Sequence, residues 1–405
     1  MSAANKPDDP DGPDRAQRAH RPATEVVHGN RDPSATHGFV NPPVYRGSTV
    51  LYPTLEAITT RAQPYTYGRR GTPTTVELET ALANLEGGEC TVLTASGYQA
   101  VTTALLAFVE AGRHILVTDS VYQPTRKFCD AMLTKLGVTT SYYDPLIGAG
   151  IDALIKPETC LIFTESPGSQ TFEVQDIPAI AAVARARGLW LLTDNTWASP
   201  LYFKPFQHGA DVSIQALTKY VVGHSDAMLG AVTSNARATG RIIAAKETLG
   251  VCPGSEETWL ALRGLRTLDV RLARHQASAV AIARWLEQRP EVAKVVHPAL
   301  PSHPQNSLWA RDFLGASGLF SIVLRPATRC GLAAMLDGLE LFGMGYSWGG
   351  YESLIIPFDP RPYRSATSWN EPGQALRLHI GLEDPGDLMA DLAAGFERLS
   401  TAAGP

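Results

Sequence analysis

The sequence predicts an α/β protein built on a mainly parallel sheet with helices on both faces, followed by a smaller α+β domain. Two patterns point there. Short apolar runs at 91–94, 114–118, 160–164, 189–193 and 212–217 alternate with helical stretches at 99–110, 124–136 and 177–187. Strands buried on both faces read as continuous apolar runs, and helices between them are the crossovers of a parallel sheet. Past Gly264 the order changes to a long helix at 268–288, strands at 292–297 and 319–324, a helix at 332–338, a strand at 376–380 and a terminal helix at 385–399.

Each segment has a local reason. Residues 1–24 are rich in Asp, Pro and Arg without an apolar run, and are expected to form a disordered tail. Residues 25–70 carry turn signals such as Asn41-Pro42-Pro43 and too little periodic apolar sequence for a core of their own. They are expected to be an arm packed on something else, such as a neighbouring subunit. A short amphipathic helix near 76–85 opens the large domain, 71–264. In the helix at 99–110, Val101, Leu105 and Val109 recur every four residues on one face, and Gly112 follows as a stop. Residues 265–405 form the small domain.

Composition excludes several classes. Charged residues are 19% of the chain and net charge is -5 without any basic block, which argues against a nucleic-acid partner. No run reaches the apolar length of a membrane span. The five cysteines (Cys90, Cys129, Cys160, Cys252 and Cys330) are scattered and never at CxxC spacing. That pattern fits a reducing cytoplasm and neither a disulfide framework nor a zinc site. HExxH, HxH and GxSxG are also missing, so no metal is expected and hydrolase readings lack support.

In parallel sheets ligands gather at the carboxyl ends of the strands, where Ser96-Gly97, Asp194 and Lys219 all fall. Lys219 follows the run at 212–217. If buried, its amine loses proton affinity and becomes suited to carbonyl chemistry; if exposed, it is an ordinary surface lysine. Asp194 ends the run at 189–193. It could face a protonated pyridine nitrogen or simply cap the next helix. Ser96-Gly97 offers free N–H groups to an anion, although any strand-to-helix turn does so. Arg69 and Arg70 with Tyr67 could hold a phosphate or stay solvated. Tyr122 could stack on a planar cofactor or sit in the core. Arg377, inside an apolar strand, requires a carboxylate, either a substrate's or a structural one. Tyr346-Ser347-Trp348-Gly349-Gly350 could line a pocket. Gly148-Ala149-Gly150-Ile151-Asp152-Ala153 matches a dinucleotide pattern with Glu165 as the ribose acid, but Asp144-Pro145 before it suits a loop.

Together, Tyr67-Gly68-Arg69, Ser96-Gly97, Tyr122, Asp194-Asn195-Thr196-Trp197, Thr218-Lys219-Tyr220, Gly223-His224-Ser225-Asp226 and Arg377-Leu378-His379-Ile380-Gly381-Leu382-Glu383 resemble the Cys/Met-metabolism family of pyridoxal 5′-phosphate enzymes. Its aspartate-aminotransferase-like fold (fold type I) implies a seven-stranded, mainly parallel sheet. Ser347-Trp348-Gly349-Gly350 and Asp144-Pro145-Leu146-Ile147-Gly148 resemble the bacterial cystathionine β-lyase version.

The resemblance implies that Lys219 holds the cofactor covalently and moves the substrate Cα proton. Asp194 keeps the ring nitrogen protonated, and Tyr122 stacks on the ring. Gly97, Tyr98 and Thr218 bind the phosphate, joined by Tyr67 and Arg69 from a neighbouring subunit. Arg377 and Ser347 hold the α-carboxylate, with Trp348 and Tyr67 also at the substrate. The implied function is β-cleavage of L-cystathionine in methionine biosynthesis by a cytoplasmic homotetramer made of dimers with shared sites. Ala216 departs from the family by standing where many relatives place a phosphate-binding Ser. Tyr98 and the 246–255 segment also depart. A same-fold γ-lyase, a broad cysteine-conjugate or cystine lyase, a cofactor-binding regulatory protein and an NAD-dependent oxidoreductase are the alternatives.

Overall fold

The structure, a computed structural model, describes residues 20–29 and 31–401. Seven strands form the large sheet: β1 (Cys90–Thr94), β2 (His114–Thr118), β3 (Thr139–Tyr143), β4 (Thr159–Glu165), β5 (Trp190–Asp194), β6 (Val212–Gln215) and β7 (Gly230–Ser234). Their order is β1-β7-β6-β5-β4-β2-β3. Only β7 runs antiparallel to its neighbours, β1 and β6; the other pairs are parallel. Both faces are covered, as β2 shows. Ile115 and Val117 enter one apolar cluster with Leu105 and Phe163, while Leu116 enters another with Ile162 and Leu191. Each such side chain contributes about 1.5–3 kcal/mol by leaving water, which explains the continuous apolar runs.

The second sheet, β8 (Val292–Val296), β9 (Leu319–Leu324), β10 (Leu354–Phe358) and β11 (Ala375–His379), has the order β10-β11-β9-β8 and is antiparallel throughout. Phe320, Ile322, Leu376 and Leu378 pack there with Ile282 of the helix Leu268–Leu286 and Phe396 of the helix Pro385–Thr401.

Element ends follow capping chemistry. The helix Pro73–Glu86 starts on Thr72 and Thr75, which cap each other reciprocally, has Pro73 in its first turn, and stops at Gly87 with φ +77°. The strand expected over 212–217 ends at Gln215, because the Ala216 N–H turns to the Thr196 hydroxyl at 3.0 Å. The helix expected at 124–136 is a short α-helix, Gln123–Lys127, widening into the π-turns Phe128–Leu133, and the one expected at 99–110 closes at Leu106. Periodicity does not reveal β3, β7 or β10. Thr139-Thr140-Ser141-Tyr142-Tyr143 is a polar edge strand, and β7 breaks the strand-helix alternation by pairing antiparallel. Gly148–Leu154 is a 3₁₀ helix and not a strand-to-helix turn, which removes the dinucleotide reading.

Of the expected tail, residues 1–19 lie outside the described residues; the helix Pro22–His28 begins within its end, and Val26 is buried with Leu78 and Leu82. The following arm leaves Phe39, Val40, Leu51, Leu55 and Ile58 exposed. All five cysteines are free, and no helix among the described residues is long and apolar enough to cross a membrane.

Candidate active site

Lys219 lies in the turn after β6. Its N–H bonds to the Ala216 carbonyl at 3.1 Å, and its carbonyl accepts the Gly223 N–H at 2.8 Å. The side chain donates to Ser347 Oγ at 2.7 Å and stands 5.0 Å from the centre of the Trp348 ring. Burial, reinforced by the Arg377 charge and opposed by Asp194, brings the amine down to about 8. About a tenth of it is therefore neutral near pH 7, far more than for an ordinary lysine, and the neutral amine is the nucleophilic form.

Asp194 ends β5 and accepts the Thr196 N–H at 2.9 Å. Burial nevertheless raises its pKa, against the Thr196 groups and Lys219. A carboxylate in that position is short of a cation, and a protonated ring nitrogen would supply one. Directly beside it in register stands Glu165, the last residue of β4. Burial and the Asp194 charge hold Glu165 well above the usual carboxylate range, and its carboxyl accepts the Tyr122 N–H at 2.7 Å. Glu165 is a site residue that sequence reasoning missed. The signal was the one used for Asp194, an acid closing an apolar strand. The Tyr122 ring is half-exposed at 46% relative accessibility, leaving a face free for stacking.

Arg377 is buried on β11. It donates to the Ser347 carbonyl at 2.9 Å and more weakly to the Gly345 carbonyl at 3.4 Å, while its Nε has no partner. Among the described residues it pairs with no carboxylate, so the structural salt bridge is excluded. Burial lowers it to about 10, still charged at neutral pH. The Ser347 segment reaches both cations by an unusual backbone: Ser347 has φ +77° and Gly349 φ +86°. A Cβ on Gly349 would come within 2.9 Å of the Lys219 backbone, so that turn requires glycine.

The helix Gly97–Leu106 starts from Ser96, whose hydroxyl accepts the Gln99 N–H at 3.1 Å, leaving the amides of Gly97 and Tyr98 at its open end. Gly97 lies so close to Ala216 that an added Cβ would be 2.4 Å from its methyl. The Thr218 hydroxyl is engaged by Leu229, donating to its carbonyl at 3.1 Å and accepting its N–H at 3.0 Å. It can donate to an anion only by giving up that carbonyl. Tyr67 and Arg69 do not join this group within one chain. Tyr67 bridges to Thr49, and Arg69 reaches the Glu247 carbonyl at 3.3 Å.

The side chains present suit pyridoxal 5′-phosphate: an amine of low proton affinity, a carboxylate short of a cation, a helix N-terminus, and an arginine without a carboxylate. The sequence profile of the family described as Cys/Met metabolism PLP-dependent enzyme matches residues 23–397. A Rhizobium johnstonii protein is 52% identical over 383 residues, 93% of this chain and 96% of that one. The cystathionine beta-lyase MetC of Escherichia coli is 46% identical over 387 residues, 93% of this chain and 98% of that one. The crystal structure of metB from Corynebacterium glutamicum superposes with a TM-score of 0.87 at 30% identity, over 94% of this chain and 99% of that one.

Proposed function

Because the chain belongs to the Cys/Met-metabolism pyridoxal 5′-phosphate enzymes, we propose that it is a carbon–sulfur β-lyase that cleaves L-cystathionine. The observation carrying this reading is Ser347, which accepts from Lys219 through its hydroxyl and from Arg377 through its carbonyl. A substrate α-carboxylate held by Arg377 therefore comes beside the amine that must take the Cα proton. The 46% identity to the Escherichia coli enzyme supports the choice of substrate.

Bound among these residues, pyridoxal 5′-phosphate supplies an electron sink for charge released at Cα. Lys219 takes the Cα proton and returns one to the departing sulfur. Asp194 supplies negative charge to the ring-nitrogen side, and Glu165 fixes the backbone of Tyr122, whose ring covers the planar face. Gly97 and Tyr98 donate N–H groups to the phosphate. Arg377 orients the carboxylate, and Trp348 closes the wall under Lys219. When the Cβ–S bond breaks, homocysteine leaves with a proton on sulfur. The three-carbon remainder takes up one water and yields pyruvate and ammonia.

Further parts of the reading concern organisation. The arm, 25–70, brings Tyr67 and Arg69 to a neighbouring subunit's phosphate, in a homotetramer assembled from dimers. Exposed Phe39, Leu51 and Leu55 support a covering partner. Residues 71–264 form the cofactor domain and 265–405 the small domain, and the protein works in the cytoplasm. Product identification from L-cystathionine tests the function. Pyruvate with homocysteine is expected; 2-oxobutyrate with cysteine would make it a γ-lyase, and D-amino acid without oxo acid would make it a racemase. Comparing kcat/KM for cystathionine, cystine and cysteine conjugates then measures its breadth.

A further inference from the structure

Behind the Ser347 segment lie two buried histidines to which no role has yet been assigned. His379 follows Arg377 by two residues on β11, so both side chains leave the same face of the strand. Its ring is fully buried. Nε2 lies 3.1 Å from the Gly349 nitrogen and 3.0 Å from the Gly350 carbonyl oxygen. One nitrogen cannot accept from the first and donate to the second, so the tautomer decides which bond exists.

The second histidine packs beside the first. His275, also fully buried on the helix Leu268–Leu286, has Nδ1 2.7 Å from the Ile380 carbonyl. A carbonyl only accepts, so His275 carries its proton on Nδ1 and presents a lone pair at Nε2. That Nε2 and the Nδ1 of His379 are both buried without a partner, and the rings are 5.2 Å apart. With the His379 proton on Nδ1, the Gly349 N–H has its acceptor at Nε2. With the proton on Nε2, the Gly350 carbonyl gains a donor and the Gly349 N–H loses this acceptor. Burial keeps both rings neutral, with His275 brought down to about 4. Tyr220, adjacent to Lys219, packs on His275 at 5.3 Å, on His379 at 5.9 Å and on Trp348 at 5.5 Å, so the pair and the site share one wall.

We propose that His379 is a positioning residue: as the neutral Nδ1–H tautomer it accepts the Gly349 N–H and so holds Ser347 and Trp348 against Lys219. The effect on turnover rests on the lyase reading; the tautomer does not. The test uses cofactor-loaded protein with ¹⁵N-labelled histidine, the two ring systems being assigned by their loss in His379→Gln and His275→Gln. The expected result is a protonated Nδ1 and unprotonated Nε2 for His379 in the wild type; a protonated Nε2 overturns the proposal. Kinetics provide the second arm. Gln places an acceptor near the Nε2 position and should keep kcat/KM within about tenfold, whereas His379→Leu should lose about 10²-fold, mainly through KM, from misplaced Ser347. Equal losses in both variants, falling on kcat and tracking lowered thermal stability, would assign His379 a purely structural role. Wild-type protein that shows the expected tautomer but releases no pyruvate would fail the lyase reading alone.

Discussion

Two buried groups of charge in this protein have opposite bonding. Around Asp119 each cation has an acid, and both oxygens of the carboxylate are engaged. Its carboxylate accepts the N–H groups of Ser365 at 3.0 Å and Thr367 at 2.9 Å, the Thr367 hydroxyl at 2.7 Å, and the Arg126 guanidinium. Arg364 beside it reaches Glu173 at 2.9 Å. Around Lys219 the charges are arranged against themselves. Two cations, Lys219 and Arg377, face each other, and two acids, Glu165 and Asp194, sit side by side in register. The first group ties the 361–367 loop to the turn before Tyr122. The second leaves its charges for a ligand to complete. Opposite charges in contact mark structure, and like charges without a counter-ion mark the site.

That contrast can be broken by substitution. Lys219→Ala should abolish pyruvate release, by about 10⁴-fold or more, with the folded state retained. Arg377→Leu should lower kcat/KM by about 10²–10³-fold, because a buried charge pair with the substrate is lost. Its folding stability should change by less than about 1 kcal/mol, since no carboxylate is left unpaired; urea unfolding beside steady-state kinetics separates the two effects.

Asp119→Ala should do the reverse. Leaving Arg126 and Arg364 buried without it costs about 3–5 kcal/mol, read as a fall in Tm with KM little changed. Burial pushes the Asp119 carboxyl up, but the amides of Ser365, Ala366 and Thr367 and the Thr367 hydroxyl hold it below the usual range. Its contribution is thus complete above the unfolded carboxyl's pKa, near 4, and drains away as pH falls through the lower folded value. Glu165→Gln should matter least. A carboxyl group and an amide both accept the Tyr122 N–H, so kcat/KM should stay within about tenfold of wild type.

What the sequence could and could not reveal follows from range. Lys219, Asp194 and Gly97 end local apolar runs, so periodicity pointed to the rim of the sheet before any contact was visible. Arg377 could be flagged as an arginine on a strand, but its lack of a carboxylate is a property of distant residues. The bond between Ser347 and Lys219 spans 128 positions and the one between Thr367 and Asp119 spans 248, and no local pattern encodes either. Glu165 was hidden differently. Its sequence spacing ties it to a glycine pattern that proves to be a 3₁₀ helix, and only the β4–β5 register places it beside Asp194. The Thr218 hydroxyl, expected to be free, is taken by Leu229 across the turn.

Lys204 provides the control for the central claim. It is another buried amine of lowered proton affinity, but it is spent on the Leu85 carbonyl at 2.5 Å beside Glu86. Native, cofactor-loaded protein should be reduced with tritiated borohydride, digested, and the labelled peptide sequenced. Label confined to Lys219 is the predicted result. Label on Lys204, or a Lys219 peptide that stays unlabelled, would contradict the account.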